Sequence, residues 1–126
     1  MDAPQNTPPP FVWWAVWGGI TSAFFVSYGI FEVVQPVSAI PLPLAAIAFV
    51  PMAGSAVCRF LLLPRAATPQ KAFVLFIVGL ALAEAGGFIG VILGADRKAI
   101  YGAAAIVLMI AHVPAFVNRG GQAGKP

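Results

Sequence analysis

Four long apolar stretches, separated by short segments rich in proline or charge, constrain the fold of this chain more than any other feature. A helix needs about 20 apolar residues to cross the hydrocarbon core of a bilayer. The stretches at residues 11–34, 43–63, 72–94 and 100–117 reach that length or come close to it. They are unbroken, whereas the strands of a membrane barrel alternate apolar and polar positions. The sequence therefore predicts an all-α integral membrane protein, with four transmembrane helices in a compact bundle of two hairpins.

Composition favours a membrane location over a soluble domain. Hydrophobic residues make up 60% of the 126 residues and charged residues 9%, whereas soluble domains carry about 25% charged residues. The seven basic residues are few and scattered, which argues against a nucleic-acid partner. We expect one transmembrane domain at residues 11–117 in contact with lipid, flanked by disordered tails at residues 1–10 and 118–126.

Lysine and arginine predict the orientation, because they collect in short cytoplasmic loops. With four spans, both termini and the second loop share a side, and that side holds most of the basic residues: Arg59, Arg65, Lys71, Arg119 and Lys125. The other side holds Arg97 and Lys98. We therefore expect both termini in the cytoplasm and the chain in a bacterial inner membrane. Trp13, Trp14 and Trp17 are then expected to anchor the first helix at the cytoplasmic interface.

Glu84 is the residue to which the sequence most directly assigns a function. It lies about twelve residues into the third stretch, roughly 18 Å from the cytoplasmic end and near the bilayer centre. A carboxylate at that depth costs at least about 2.5 kcal/mol unless it is protonated, paired or hydrated. An acid that gains and loses a proton inside the membrane is what ion carriage requires. Glu84 is therefore predicted to bind a proton or another ion.

Small residues surround Glu84 in the sequence GLALAEAGGFIG. They recur every four positions on two neighbouring helix faces, which hold Gly79, Ala83 and Gly87 on one side and Gly86, Gly90 and Gly94 on the other. This spacing lets helix backbones approach closely. We expect these residues to pack against other transmembrane helices, in a homo-oligomer or a larger membrane complex.

The sequence FIVGLALAEAGGFIGVILG, residues 76–94, resembles the acid-bearing helix of the c subunit, or proteolipid, of rotary F-type ATP synthases. In that family a basic polar loop precedes an apolar helix whose central acid is flanked by small residues, and residues 65–71 supply such a loop. The resemblance implies that Glu84 binds the transported ion and that Arg65 lies in a cytoplasmic loop. It is confined to residues 65–94, and the second stretch has Pro51 at its centre where the family has glycine and alanine.

Two alternatives remain open from the sequence. In the first, Glu84 hydrogen-bonds a neighbouring helix and serves packing in a non-catalytic accessory or assembly subunit. The second concerns His112, in the fourth stretch, which is either a partner of Glu84 in a proton relay or a histidine that bonds a backbone carbonyl freed by Pro114. No nucleotide loop, no nucleophile beside a base and no cysteine pair occurs in the sequence, so we expect no enzyme activity, metal or cofactor.

Overall fold

The structure, a computed structural model, describes residues 7–34, 41–93 and 97–116, and at residues 31–34, 42 and 45 it describes the backbone alone. Every regular element in these ranges is helical, as the sequence predicts. The α-helices are α1 (Pro10–Val34), α2 (Leu42–Ala45), α3 (Phe49–Val57), α4 (Pro69–Leu93) and α5 (Lys98–Ala111). Parts of the sequence predictions lie outside the described residues: residues 1–6 of the first expected tail, the whole of the second at residues 118–126, and Gly94.

Three helical segments are long and apolar enough to cross a membrane: Pro10–Ile30, Ala46–Arg65 and Pro69–Leu93. The fourth apolar segment contains helix α5, which has only 14 residues. Helix α5 ends at Ala111 rather than at residue 117, and the backbone is helical again at residues 114–116. Pro114 explains the early end, because proline has no N–H to continue the helical hydrogen bonds and its ring clashes with the preceding turn.

Prolines divide the second segment, residues 42–65, into several helical pieces. Pro51 and Pro64 lack the N–H that would bond the carbonyl four residues earlier. The N–H of Leu63 bonds the carbonyl of Cys58, five residues back, which is the π-helical pattern. The pieces that flank α3 are two 3₁₀ turns and one π-helical stretch: Ala46–Ala48, Leu63–Arg65 and Cys58–Leu62.

The first turn of α4 is capped by the residues that the sequence assigned to a polar loop. The N–H of Lys71 donates to Oγ1 of Thr68 at 3.2 Å. Pro69 takes the first helical position, where its missing N–H costs no helical hydrogen bond. These two features explain why α4 begins at Pro69 rather than at residue 72.

α4 is the central helix and contacts α1, α3 and α5. Near the start of α1 and α4, the ring of Trp13 lies 4.9 Å from the rings of Phe73 and Phe76. Further along both helices, the ring of Phe24 lies 5.5 Å from that of Phe88. The contacts advance in the same direction on the two helices, so α1 and α4 run parallel.

α5 runs antiparallel to α4. Gly90, near the end of α4, lies against Tyr101 at the start of α5. Gly79, in the first half of α4, lies against His112 just after α5 ends. The start of α1, the start of α4 and the end of α5 therefore lie at the same end of the bundle, which is the relation that the predicted topology requires.

The first two segments do not pair with each other as the hairpin that we expected. α1 and α3 contact different positions of α4, because Gly87 faces Phe24 of α1 whereas Gly86 faces Met52 of α3. Glycines at adjacent positions leave room for a close neighbour on each side of α4. The described glycines in the second half of α4, Gly86, Gly87 and Gly90, are thus each covered by a neighbouring helix of the same chain.

Candidate functional site

Glu84 lies on the side of α4 that faces α1, and its side chain is partly buried. It follows Phe73 by eleven residues and precedes Phe88 by four, spacings that place the three side chains along one side of a helix. Those two phenylalanines make the ring contacts with Trp13 and Phe24 of α1. Glu84 therefore lies along the seam between α1 and α4, about 22 Å from the start of α4 and about 14 Å from its end.

The carboxyl group of Glu84 makes no hydrogen bond or ion pair within residues 7–34, 41–93 and 97–116. Ala83 beside it is fully buried, whereas Ala81 is exposed. Glu84 thus stands at the border between the core of the bundle and its surroundings. A carboxyl group in this position can receive a proton, or a basic partner, from outside the chain.

His112 does not lie beside Glu84. Its ring is fully buried against Gly79, which precedes Glu84 by five residues on α4. Five residues correspond to about 7.5 Å along the helix axis and about 140° around it. The two residues that the sequence proposed as relay partners therefore face different sides of α4, and the structure does not bring them together.

The His112 ring bonds a backbone carbonyl at the end of α5. Its Nδ1 lies 2.8 Å from the oxygen of Leu108, and because a carbonyl only accepts, Nδ1 carries the proton of this bond. Nε2 is buried and has no partner among the described residues. The carbonyl that Pro114 leaves without a helical donor belongs to Ile110, and it accepts from the N–H of Val113 instead. His112 therefore bonds a backbone carbonyl, as the simpler interpretation of the sequence expects. The carbonyl is that of Leu108 and not the one that Pro114 leaves without a helical donor.

Two side chains from other helices bond the last carbonyls of α5. Trp17 Nε1 donates to the carbonyl of Met109 at 2.8 Å, and Arg59 Nε donates to the carbonyl of Ala111. Carbonyls at the end of a helix lack the usual helical donors. The carbonyl of Met109 also accepts from the N–H of His112, and α1 and the π-helical stretch supply the two side-chain donors. Sequence reasoning missed this polar helix end. Its signals are an arginine inside an apolar stretch and a proline soon after His112.

The three tryptophans expected to anchor α1 at the interface occupy three different settings. Trp14 is 46% exposed and faces outward. Trp13 is buried against Phe73 and Phe76. Trp17 is partly buried and bonds the end of α5. Of the three, Trp14 has the exposure that an interfacial anchor needs, while Trp13 and Trp17 contribute contacts inside the bundle.

The hydrogen bond of Trp17 gives a stability prediction with a matched control. Trp17→Phe removes the donor to the Met109 carbonyl, so we expect it to destabilise the detergent-solubilised protein by about 0.5–1.5 kcal/mol. Trp14→Phe, one turn earlier on the same helix, replaces an exposed ring that makes an edge contact with Trp17. Phenylalanine can keep an aromatic contact there, so this variant should change the stability little. Thermal unfolding followed by circular dichroism checks both variants, and equal midpoints for them would contradict the assignment.

Comparisons of the chain with known protein families, with curated proteins and with solved structures found no match. The candidate site is therefore defined by the geometry of this chain. It consists of Glu84 at the seam between α1 and α4, with the polar end of α5 on another side of α4.

Proposed function

We propose that this chain is a membrane protein with four spanning segments, and that Glu84 is a protonatable site for proton or ion translocation, similar to that of a rotary-synthase c subunit. The observation that carries the proposal is a carboxyl group in the interior of α4, more than two turns from either end, partly exposed and without a partner among the described residues. In hydrocarbon such a group is most stable as the neutral acid. Its position at the border of the bundle lets it pass the proton to water or to another subunit.

The arrangement of charge supports an orientation with both termini in the cytoplasm. The starts of α1 and α4 and the end of α5 lie at one end of the bundle, and Arg65 and Lys71 are exposed at that end. Arg97 and Lys98 lie at the other end. Basic residues favour the cytoplasmic side of a membrane. In this proposal α5 and the helical turn at residues 114–116 together form the fourth span.

Labelling with dicyclohexylcarbodiimide tests the proposal, because this reagent attacks a protonated carboxyl group in an apolar environment. We expect native membranes treated with it to carry the adduct on Glu84, and we expect labelling to fall as the pH rises and the acid loses its proton. Mass spectrometry of the digested protein locates and quantifies the adduct. A Glu84 that stays unreactive at every pH would exclude a protonated and accessible site.

The alternative proposal is a non-catalytic accessory or assembly subunit of a larger membrane complex. The same observation supports it, since a carboxyl group without a partner among the described residues is available to a basic side chain of another subunit. In that case the group is charged and covered in the native complex. We would then expect Glu84 to react only after the complex is dissociated, which the same labelling experiment detects.

A further inference from the structure

An apolar groove runs along the outside of the bundle between α3 and α5. Its volume is about 540 Å³, and its walls carry only apolar side chains, among them Phe49, Met52 and Ala56 on one side and Ala103, Val107 and Leu108 on the other. Phe49 and Val107 are 44% and 64% exposed, so the groove opens to the surroundings of the protein. It lies on a different part of the bundle from the seam that holds Glu84.

One end of this groove carries a positive charge. Arg59 follows Ala56 by three residues, and Ala111 follows Leu108 by three, so both walls continue by about one helical turn to these residues. There the Nε of Arg59 donates to the carbonyl of Ala111, which joins the two walls across the groove.

The guanidinium group of Arg59 has further N–H donors besides the one that bonds Ala111. A guanidinium carries five N–H groups. Besides the bond to Ala111, the guanidinium carbon lies 5.6 Å from the centre of the Phe60 ring, and the group is close enough to the His112 ring to interact with it electrostatically. Arg59 forms no ion pair within the described ranges. The acid nearest to mid-membrane, Glu84, faces α1 instead. Within the described ranges, no anion therefore pairs with the charge of Arg59.

We propose that this groove binds an anionic phospholipid, with an acyl chain between α3 and α5 and the phosphate group at Arg59. From Phe49 to Arg59 the wall is about 15 Å long, which matches the hydrocarbon thickness of about one leaflet. The planar guanidinium group suits a phosphate, since two of its N–H groups bond two oxygens at once. Basic pockets between membrane helices bind lipid head groups in this way.

A phospholipid satisfies both parts of the site better than a partner helix does. The apolar walls suit the acyl chain of a phospholipid, and the cation suits its anionic head group. A partner helix would need an acidic residue placed at the level of Arg59. The proposal rests on the membrane location proposed above and not on proton binding by Glu84. The two proposals can therefore fail separately, because they concern different sides of α4.

Native mass spectrometry of the detergent-solubilised full-length protein, titrated with phosphatidylglycerol or with phosphatidylcholine, tests the proposal. We expect wild-type protein to bind the anionic lipid about tenfold more tightly than the zwitterionic one, the ratio that one charge-assisted contact of ordinary strength produces. Arg59→Gln should remove this preference. Arg65→Gln, at an exposed arginine of the same segment, should keep it.

A second variant addresses the groove without altering the charge. Ala103→Phe places a ring in the groove at an exposed position, and we expect it to weaken binding of both lipids while Arg59 is intact. This variant also decides the outcome if Arg59→Gln fails to fold. Equal binding of the two lipids by wild-type protein, a preference that survives in Arg59→Gln, or an Ala103→Phe protein that binds as wild type would each overturn the proposal. A lipid-free dimer that Ala103→Phe dissociates would show that a second copy fills the groove instead.

Discussion

Replacing Glu84 by glutamine is expected to abolish proton uptake by proteoliposomes that contain the purified protein. Glutamine is close to glutamate in size and keeps a hydrogen-bonding group, but its amide does not bind and release a proton near neutral pH. Because no described residue bonds the Glu84 carboxyl group, the substitution should leave the fold intact. Uptake driven by a potassium diffusion potential and reported by a pH-sensitive dye measures the effect.

Glu84→Asp is the matched comparison for this experiment. It keeps a carboxyl group and shortens the side chain by one methylene, so we expect reduced but measurable uptake. Equal uptake by Glu84→Gln and wild type would contradict the role of Glu84 as the proton site. Wild-type protein that transports no more than empty vesicles would favour the accessory-subunit alternative, and circular dichroism of each variant controls for loss of fold.

Replacing Gly90 by alanine is expected to lower the stability of the protein markedly. A Cβ atom at Gly90 would overlap Cβ and Cγ of Tyr101. Those atoms are fixed close to the backbone of α5, so the ring cannot simply rotate away and the two helices must separate. Overpacking of this kind costs about 1–3 kcal/mol. The midpoint of thermal unfolding in detergent measures it.

Gly19→Ala on α1 provides a control of the opposite sign. A Cβ at Gly19 meets nothing within 4 Å, and alanine is favoured over glycine in a helix by up to about 1 kcal/mol. We expect Gly19→Ala to keep or slightly raise the midpoint, while Gly90→Ala lowers it. A Gly90→Ala protein as stable as wild type would mean that α4 and α5 are not packed as closely as described.

The positions of the helices were largely predictable, because each depends on residues that are near one another in the sequence. The start of α4 could be refined with a local rule, since Thr68 and Pro69 are residues that commonly open a helix. The end of α5 was predicted too late, although Pro114 was visible. An apolar stretch alone indicates that a segment is buried or in lipid, and it does not indicate where the backbone hydrogen bonds stop.

Glu84 illustrates how much of the site was predictable. Its position along the helix follows from counting residues, and that part needs only the sequence. The side of α4 on which it lies depends on which helix covers Phe73 and Phe88, and this is a contact between distant parts of the chain. The same limit applied to Arg59, whose hydrogen-bond partner Ala111 lies 52 residues away.

The sequence by itself determined that this protein is helical and that its helices are apolar enough for a membrane. It also determined that one acid, Glu84, lies near the middle of the third apolar stretch. These properties follow from hydrophobicity and length, which are read residue by residue. Only the tertiary structure decided that α1 packs against α4 rather than against the second segment, and that His112 faces away from Glu84. Apolar surface alone does not select a partner helix, so the pairing depends on close packing, such as glycine against a bulky ring. The sequence shows where the glycines are, but not which distant ring each of them faces.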